Sequence, residues 1–134
     1  MGVFNVPIIV RNWQNHLLPP SERGEEIRCE AGVDTGAAYL SLPADMVERL
    51  KLIPIRNVTV RTADGARHEF RIMAMAEVEV QGRKAEVHVL ELPRGARPLL
   101  GAYPLEIVDW HVAPNEQKLV PSPDSPDKPG AWLL

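Results

Sequence analysis

The chain has 134 residues, 45% of them hydrophobic, and a formal net charge of −3 at pH 7. This length suffices to bury the core of one globular domain but is small for two lobes, and the composition is ordinary for a folded protein. The negative net charge and the scattered basic residues argue against nucleic acid as the main partner.

The single cysteine, Cys29, excludes an intrachain disulfide framework and fits a reducing compartment. The N-terminal residues lack the basic start and the long apolar run of a secretory signal. No uninterrupted apolar stretch approaches the roughly eighteen residues that a membrane span requires. We therefore expect a cytoplasmic protein without a membrane partner.

Short alternating segments between turn signals, together with thirteen prolines, predict a β-rich domain rather than a helical bundle. The first strand is predicted over residues 3–10. The polar residues 12–26, which include two adjacent prolines, are expected to form a long exposed loop. A second strand is predicted over residues 27–33, and it leads directly into the turn that begins at Asp34.

A short helix is predicted over residues 41–50, with Pro43 in its first turn, where a missing N–H is harmless. Four apolar side chains of this segment recur at helical spacing and would pack on a sheet. They are Leu42, Met46, Val47 and Leu50.

Two hairpins follow in the sequence. The first joins residues 58–62 to residues 68–72 through Ala63, Asp64, Gly65 and Ala66, and Asp-Gly is a strong hairpin signal. The second joins two strictly alternating segments, residues 76–80 and 85–89, through a turn at Gln81 and Gly82.

The apolar pair Leu99-Leu100 ends at Gly101 and is followed by one or two helical turns over residues 103–107. A last pair of strands is predicted over residues 107–112 and 118–120. The composition then becomes rich in proline, so residues 121–134 are predicted to be a disordered tail and residues 1–120 the domain.

The segment Asp34-Thr35-Gly36-Ala37 places a short carboxylate on a tight turn opened by glycine. Activation of water by aspartate uses two carboxylates that share one proton, because two like charges a few ångströms apart cannot both ionise easily. The chain holds one such triplet. A second copy of the chain would therefore have to supply the other carboxylate.

The order of these features resembles the retropepsin-like aspartic proteases, in particular the small single-domain bacterial members. The resemblance covers about residues 3–120 and depends on two motifs, residues 33–37 and 98–101, separated by a flap-like hairpin. It implies an all-β acid-protease barrel with one or two short helices and one lobe per chain.

The resemblance also implies a role for each matching residue. Asp34 would be the catalytic carboxylate, Thr35 would bond the partner subunit's loop, and Gly36 would leave room for the substrate backbone. The remaining members of the implied site support the active-site loop or border the cleft and the flap. The supporting residues are Ala37, Leu99, Leu100 and Gly101, and the cleft and flap residues are Ala38, Ala63, Asp64, Gly65 and Ala66.

The function implied is that of an aspartic endopeptidase which hydrolyses peptide bonds as a homodimer, acts on peptides or proteins, and needs no cofactor or metal. An alternative is a catalytically silent retropepsin-like fold that serves as a peptide-binding and dimerisation module. This alternative stays open because Ala38 and Tyr39 stand where viral members commonly carry acidic residues. A third interpretation is an unrelated small β-barrel in which Asp-Thr-Gly is a coincidence.

Two other groups of residues could have indicated different chemistry. The four histidines lack metal-ligand spacing, so no metal site is predicted. Cys29 lies in the middle of a predicted strand, where a small buried hydrophobic role is favoured over that of a nucleophile.

Overall fold

The computed structural model describes residues 4–127. Over this part of the chain the fold consists of β-strands, two short α-helices and two 3₁₀ turns. The strands are β1 (Asn5–Asn12), β2 (Ile27–Val33), β3 (Leu40–Pro43), β4 (Ile53–Arg61), β5 (Arg67–Val80), β6 (Arg83–Leu92), β7 (Leu99–Leu100), β8 (Trp110–Ala113) and β9 (Lys118–Pro121). The helices are α1 (Ala44–Leu50) and α2 (Ala102–Val108), and the 3₁₀ turns are Trp13–His16 and Pro20–Glu22.

Seven strands form one sheet in the order β1-β2-β7-β3-β6-β5-β4. Because β1 also pairs with β5, the first six of these strands close into a barrel and β4 remains outside the closed ring. Alternate residues of the strands point into the barrel and form one apolar core. The all-β architecture predicted from the sequence is confirmed.

Both predicted hairpins are present, and they share a strand. The two-residue turn of Gln81 and Gly82 joins β5 to β6 with φ angles of 47° and 85°, which is the conformation that two-residue hairpin turns favour. Gly65 likewise has a φ of 84° in the turn between β4 and β5. The segments predicted as separate strands at 68–72 and 76–80 belong to one strand, β5, so the two hairpins form a three-stranded meander.

The helix predicted over residues 41–50 is wrong at its start. Residues Leu40–Pro43 form β3, which lies between β6 and β7 and is buried throughout. The helix begins only at Ala44, after Pro43 in the extended conformation. Pairing with two strands that are distant in the sequence outweighs the local helical pattern.

The predicted exposed loop at residues 12–26 differs at its start, because Asn12 is the buried last residue of β1 and anchors the segment. The Asn12 side chain is buried, accepts a hydrogen bond from the Gln14 backbone N–H, and donates to the carbonyl oxygens of Leu50 and Lys51 at 3.1 and 3.0 Å. The segment is therefore tied to the end of α1.

At the C-terminal end, α2 extends to Val108, so the strand predicted to begin at residue 107 begins instead at Trp110. Asp109, in the left-handed region with a φ of 56°, ends the helix. Neither α-helix between residues 4 and 127 has the length and apolar character needed to cross a bilayer.

The beginning of the predicted tail packs on the domain as far as Ser125. Ser122 and Ser125 are buried, and the Ser125 hydroxyl donates to Asp109 Oδ2 at 3.0 Å. The buried Arg83 guanidinium donates to the Ser125 carbonyl at 2.7 Å. The remaining tail, residues 128–134, lies outside the described residues, and the domain boundary stays a prediction.

Arg83 joins β6 to the end of α2, to β8 and to residue 125. It donates to the carbonyls of Val108, Asp109 and Ser125, and its guanidinium lies 4.1 Å from the centre of the Trp110 ring. We expect Arg83→Ala to reduce the free energy of unfolding by about 3 kcal/mol, because it leaves several buried carbonyls unsatisfied. Urea denaturation measures this loss.

The control is Arg28→Ala, which removes an exposed guanidinium paired with Glu26 and should change stability by less than about 1 kcal/mol. Equal effects of the two substitutions would contradict the structural role of Arg83.

Candidate functional site

The two-residue strand β7 supports the loop that carries Asp34, because it pairs with the strands on both sides of that loop. β7 pairs in parallel with β2, through Gly32 with Leu99 and Val33 with Leu100, and antiparallel with β3. The strands on either side of the Asp34 loop are therefore both bonded to the same short segment. This geometry restricts movement of the loop relative to the barrel.

Hydrogen bonds fix both the backbone and the side chain of Asp34. Its N–H donates to the Leu100 carbonyl at 3.1 Å, and its carbonyl accepts from the Ala37 N–H at 3.1 Å. The carboxylate oxygen Oδ1 accepts from the Gly36 N–H at 3.0 Å. The half-buried carboxylate is thus oriented by its own turn.

The N-terminus of α2 closes the other side of the loop. The N–H groups of Ala102 and Tyr103 donate to the carbonyls of Ala37 and Ala38 at 2.8 and 2.9 Å. These are first-turn N–H groups that have no partner within the helix. The loop supplies their acceptors, so the helix and the loop stabilise each other.

Gly101 lies where the loop and α2 come closest. A Cβ atom at this position would lie 2.4 Å from the Tyr39 carbonyl oxygen and 2.7 Å from that of Ala37. Both atoms belong to the backbone, which cannot withdraw without displacing the loop. The close approach therefore requires glycine.

Gly36 and Thr35 lie at the exposed end of the loop. A Cβ on Gly36 would lie 3.2 Å from Asp34 Oδ1, so a side chain there would press on the carboxylate. Thr35 is exposed and borders a cavity of about 610 Å³ formed with α2 and β8. Leu105, Trp110 and Val112 belong to the same cavity lining.

The predicted flap is an exposed five-residue turn between β4 and β5. Its backbone is closed by a hydrogen bond from the Thr62 N–H to the Ala66 carbonyl at 3.0 Å. Asp64 Oδ1 accepts from the Thr62 hydroxyl and from the Ala66 N–H, and these bonds lower the pKa of the Asp64 carboxyl. Asp64 therefore shapes the turn, while Ala63 and Gly65 are exposed at its tip.

A contact between the hairpin and the Asp34 segment involves residues that the sequence did not single out together. Arg56 on β4 donates to the Tyr39 hydroxyl at 3.4 Å. Tyr39 also packs edge-to-face on Tyr103, with ring centres 5.6 Å apart. In the sequence, Tyr39 stands out only as a departure from an acidic residue, and no sequence signal relates Arg56 or Tyr103 to it.

Cys29 on β2 is half-buried. Burial raises the pKa of its thiol, and the neighbouring Glu30 carboxylate adds to the shift. Because the thiolate is the nucleophilic form, these surroundings disfavour nucleophilic chemistry at Cys29.

The structure between residues 4 and 127 contains no group of three or more His, Cys, Asp or Glu side chains that could hold a metal ion.

The sequence matches a family model described as "gag-polyprotein putative aspartyl protease" over residues 24–106. This match includes more than half of the chain, the Asp34 loop, the β4–β5 hairpin and β7. The chain therefore belongs to this retropepsin-like aspartyl protease family, as predicted, and its fold is a retropepsin-like barrel with one lobe per chain.

Among solved structures, the chain is similar to the solution structure of the protease of Simian Foamy Virus (mac). The two sequences are 22% identical, and the match has a TM-score of 0.47 and covers 74% of this chain and 90% of that chain. No curated protein sequence matches this chain.

Proposed function

We propose that this protein is an aspartic endopeptidase in which two identical subunits each contribute Asp34 to one active site. The observation that supports this most directly is the Asp34 carboxylate, which Gly36 orients at the surface of a loop held by Leu100 and α2. Membership of an aspartyl protease family supports the same reaction. With one Asp-Thr-Gly triplet per chain, the pair of carboxylates requires a second copy.

The surface around Thr35 is the face that we expect the second copy to cover. Thr35 lines one cavity with Leu105, Trp110 and Val112, so apolar side chains lie next to the loop that must meet its symmetry mate. In a two-fold dimer the same patch serves both subunits. Burial of this patch would bring the two Asp34 loops together.

In the proposed reaction one Asp34 carboxylate is ionised and takes a proton from a water molecule as that water attacks the scissile carbonyl carbon. The other carboxyl, protonated, donates a hydrogen bond to the carbonyl oxygen and stabilises the tetrahedral oxyanion. Collapse of the intermediate breaks the C–N bond, and the departing amine receives a proton from the dyad. The flap turn at Ala63–Ala66 would exclude bulk water and pair with the extended substrate backbone.

A catalytically silent binding module is the second candidate function. Tyr39 favours this function, because it occupies a position where a carboxylate would otherwise fix the backbone of a peptide. Its hydroxyl instead contacts Arg56 and its ring contacts Tyr103. Under this hypothesis the cleft would bind peptides and the dimer would form, but no peptide would be cut.

A subunit-mixing experiment tests the shared active site. Wild-type chains and Asp34→Asn chains are mixed at a constant total concentration, and cleavage of a peptide library is measured at mildly acidic pH. If a dimer with one Asp34 is inactive, an equal mixture retains about a quarter of wild-type activity, because only that share of dimers carries both carboxylates. Mixing with Asp124→Asn, which changes an exposed residue, should leave activity unchanged.

A mixture that retains half of the activity would show that each chain works alone and would contradict the shared dyad. Peptide binding without cleavage by any wild-type preparation, with a dimer seen by light scattering, would instead favour the binding module.

A further inference from the structure

The large hydrophobic side chains that the described residues leave exposed all lie along one surface. Their exposed fractions range from 38% for Trp13 to 71% for Leu17. They border two adjoining grooves of about 370 and 550 Å³, which share Met75 and Glu86 in their walls. We call this surface the outer groove, and its exposed apolar residues are Trp13, Leu17, Ile53, Ile55, Tyr103 and Ile107.

Among residues 4–127, an unpaired strand edge runs along the outer groove. Between residues 4 and 127, β4 pairs only with β5 and is the end strand of the sheet. Ile53 and Ile55 lie at the start of β4, where the register with β5 shifts between Pro54 and Arg56. An exposed edge of this kind can add an extended peptide as a further strand, and adjacent pockets can then hold its side chains.

The outer groove carries charges that are unpaired among residues 4–127. Arg56 forms no ion pair there, and its hydrogen bond to Tyr39 is long, at 3.4 Å. Glu86, on the wall shared by the two grooves, also lacks an ion pair within this part of the chain. An acidic group on the bound segment would therefore strengthen binding if it lay opposite Arg56 and weaken binding if it lay beside Glu86.

The outer groove borders the segment that follows Asp34. Tyr39, on the segment that follows Asp34, lines it, and the Ala38 carbonyl next to it holds the Tyr103 N–H. From Ile53 and Ile55, β4 leads directly into the flap turn. A polypeptide that leaves the cleft past Tyr39 would therefore meet the outer groove.

We propose that the outer groove is a second binding site for the polypeptide substrate, separate from the cleft that holds the scissile bond. It takes an extended segment that pairs with β4, places apolar side chains against Ile53 and Ile55, and carries an acidic residue opposite Arg56. This proposal rests on the proposed protease function. Its consequence is a preference for long, unfolded substrates over short peptides.

The test begins with cleavage-site profiling of wild-type protein on peptides derived from a whole proteome. The best-cleaved long peptide is then compared with a version truncated to the residues around the cut bond. We expect the long peptide to have a KM about tenfold lower than the truncated one, because it fills both sites. Ile53→Thr combined with Ile55→Thr should abolish this advantage and leave cleavage of the truncated peptide unchanged.

The matched control is Ile9→Thr, the same change at a partly exposed isoleucine of β1 outside the outer groove, which should keep the advantage. Thermal unfolding of each variant verifies folding. Arg56→Glu provides an independent test, since it should reverse the preference of the distal segment from acidic to basic residues.

Equal KM values for the long and truncated peptides would overturn the second site while leaving the proposed protease function intact. No cleavage of any peptide by the wild-type dimer would overturn both. Assemblies larger than a dimer that dissociate in the Ile53→Thr, Ile55→Thr variant would assign the outer groove to a further copy of the chain and so also overturn the proposal.

Discussion

Replacement of Asp34 by Asn is expected to lower kcat by at least about 10⁴-fold, because both the proton acceptor and the proton donor of the proposed reaction are lost from the proposed dimer. The amide has nearly the same shape as the carboxyl, and its oxygen can still accept the hydrogen bond from the Gly36 N–H. The variant should therefore fold, dimerise and bind peptide like the wild type. Peptide cleavage, circular dichroism and light scattering measure these properties.

The control for this prediction is Asp124→Asn, an identical chemical change at an exposed carboxylate, which should leave kcat unchanged. If the Asp34→Asn protein cuts peptides at the wild-type rate, the activity belongs to a contaminant or to another residue. The assignment of Asp34 would then be wrong.

Replacement of Gly101 by Ala is expected to destabilise the fold by about 3 kcal/mol, because the new methyl group has no space. Its Cβ would lie 2.4 Å from the Tyr39 carbonyl oxygen and 2.8 Å from the Ala38 carbonyl carbon. For a domain of this size the expected fall in Tm is roughly 10 °C. Since the displaced backbone is that of the Asp34 loop, kcat should also fall at temperatures where the variant remains folded.

Gly24→Ala is the matched control for Gly101→Ala. Its Cβ would lie 2.2 Å from the Leu50 carbonyl oxygen, so it should reduce the Tm similarly, but at the end of α1 rather than beneath Asp34. Activity per folded molecule should then survive in the Gly24 variant and be lost in the Gly101 variant. Equal retention of activity in both would show that Gly101 does not position the Asp34 loop.

The elements that could be predicted from the sequence are those specified by neighbouring residues. β2 has the predicted bounds Ile27–Val33, and both hairpins form around the predicted turns, where Gly65 and Gly82 adopt positive φ angles. These features depend on residue alternation and on the freedom of glycine to adopt such angles. Both causes act within a few residues and are visible in the sequence alone.

The start of the predicted helix at residues 41–50 failed for the opposite reason. The side chains of Leu40–Pro43 have an apolar pattern compatible with a helix, yet β6 and β7 pair with this segment on its two sides. Their partner residues begin more than forty positions further along the chain. A local pattern contains no information about such partners, so tertiary pairing decided the conformation.

The candidate site was likewise predictable from the sequence only in part. The Asp34 turn and the apolar pair before Gly101 were found from short motifs, whereas the contacts among Arg56, Tyr39 and Tyr103 were not. These three residues come from β4, from the segment after Asp34 and from α2. Their meeting depends on the closed barrel rather than on any spacing in the sequence.

By itself, the sequence determined the β-rich class and the turn that holds Asp34, because these follow from local chemistry, and its single Asp-Thr-Gly triplet is the ground for proposing a second copy. Only the tertiary structure decided that β1 pairs with β5 to close the barrel, that β4 has an open edge among residues 4–127, and that the exposed apolar side chains of this part lie beside it. Closure depends on strands that are far apart in the chain, and a free edge can be recognised only when the partners of every other strand are known.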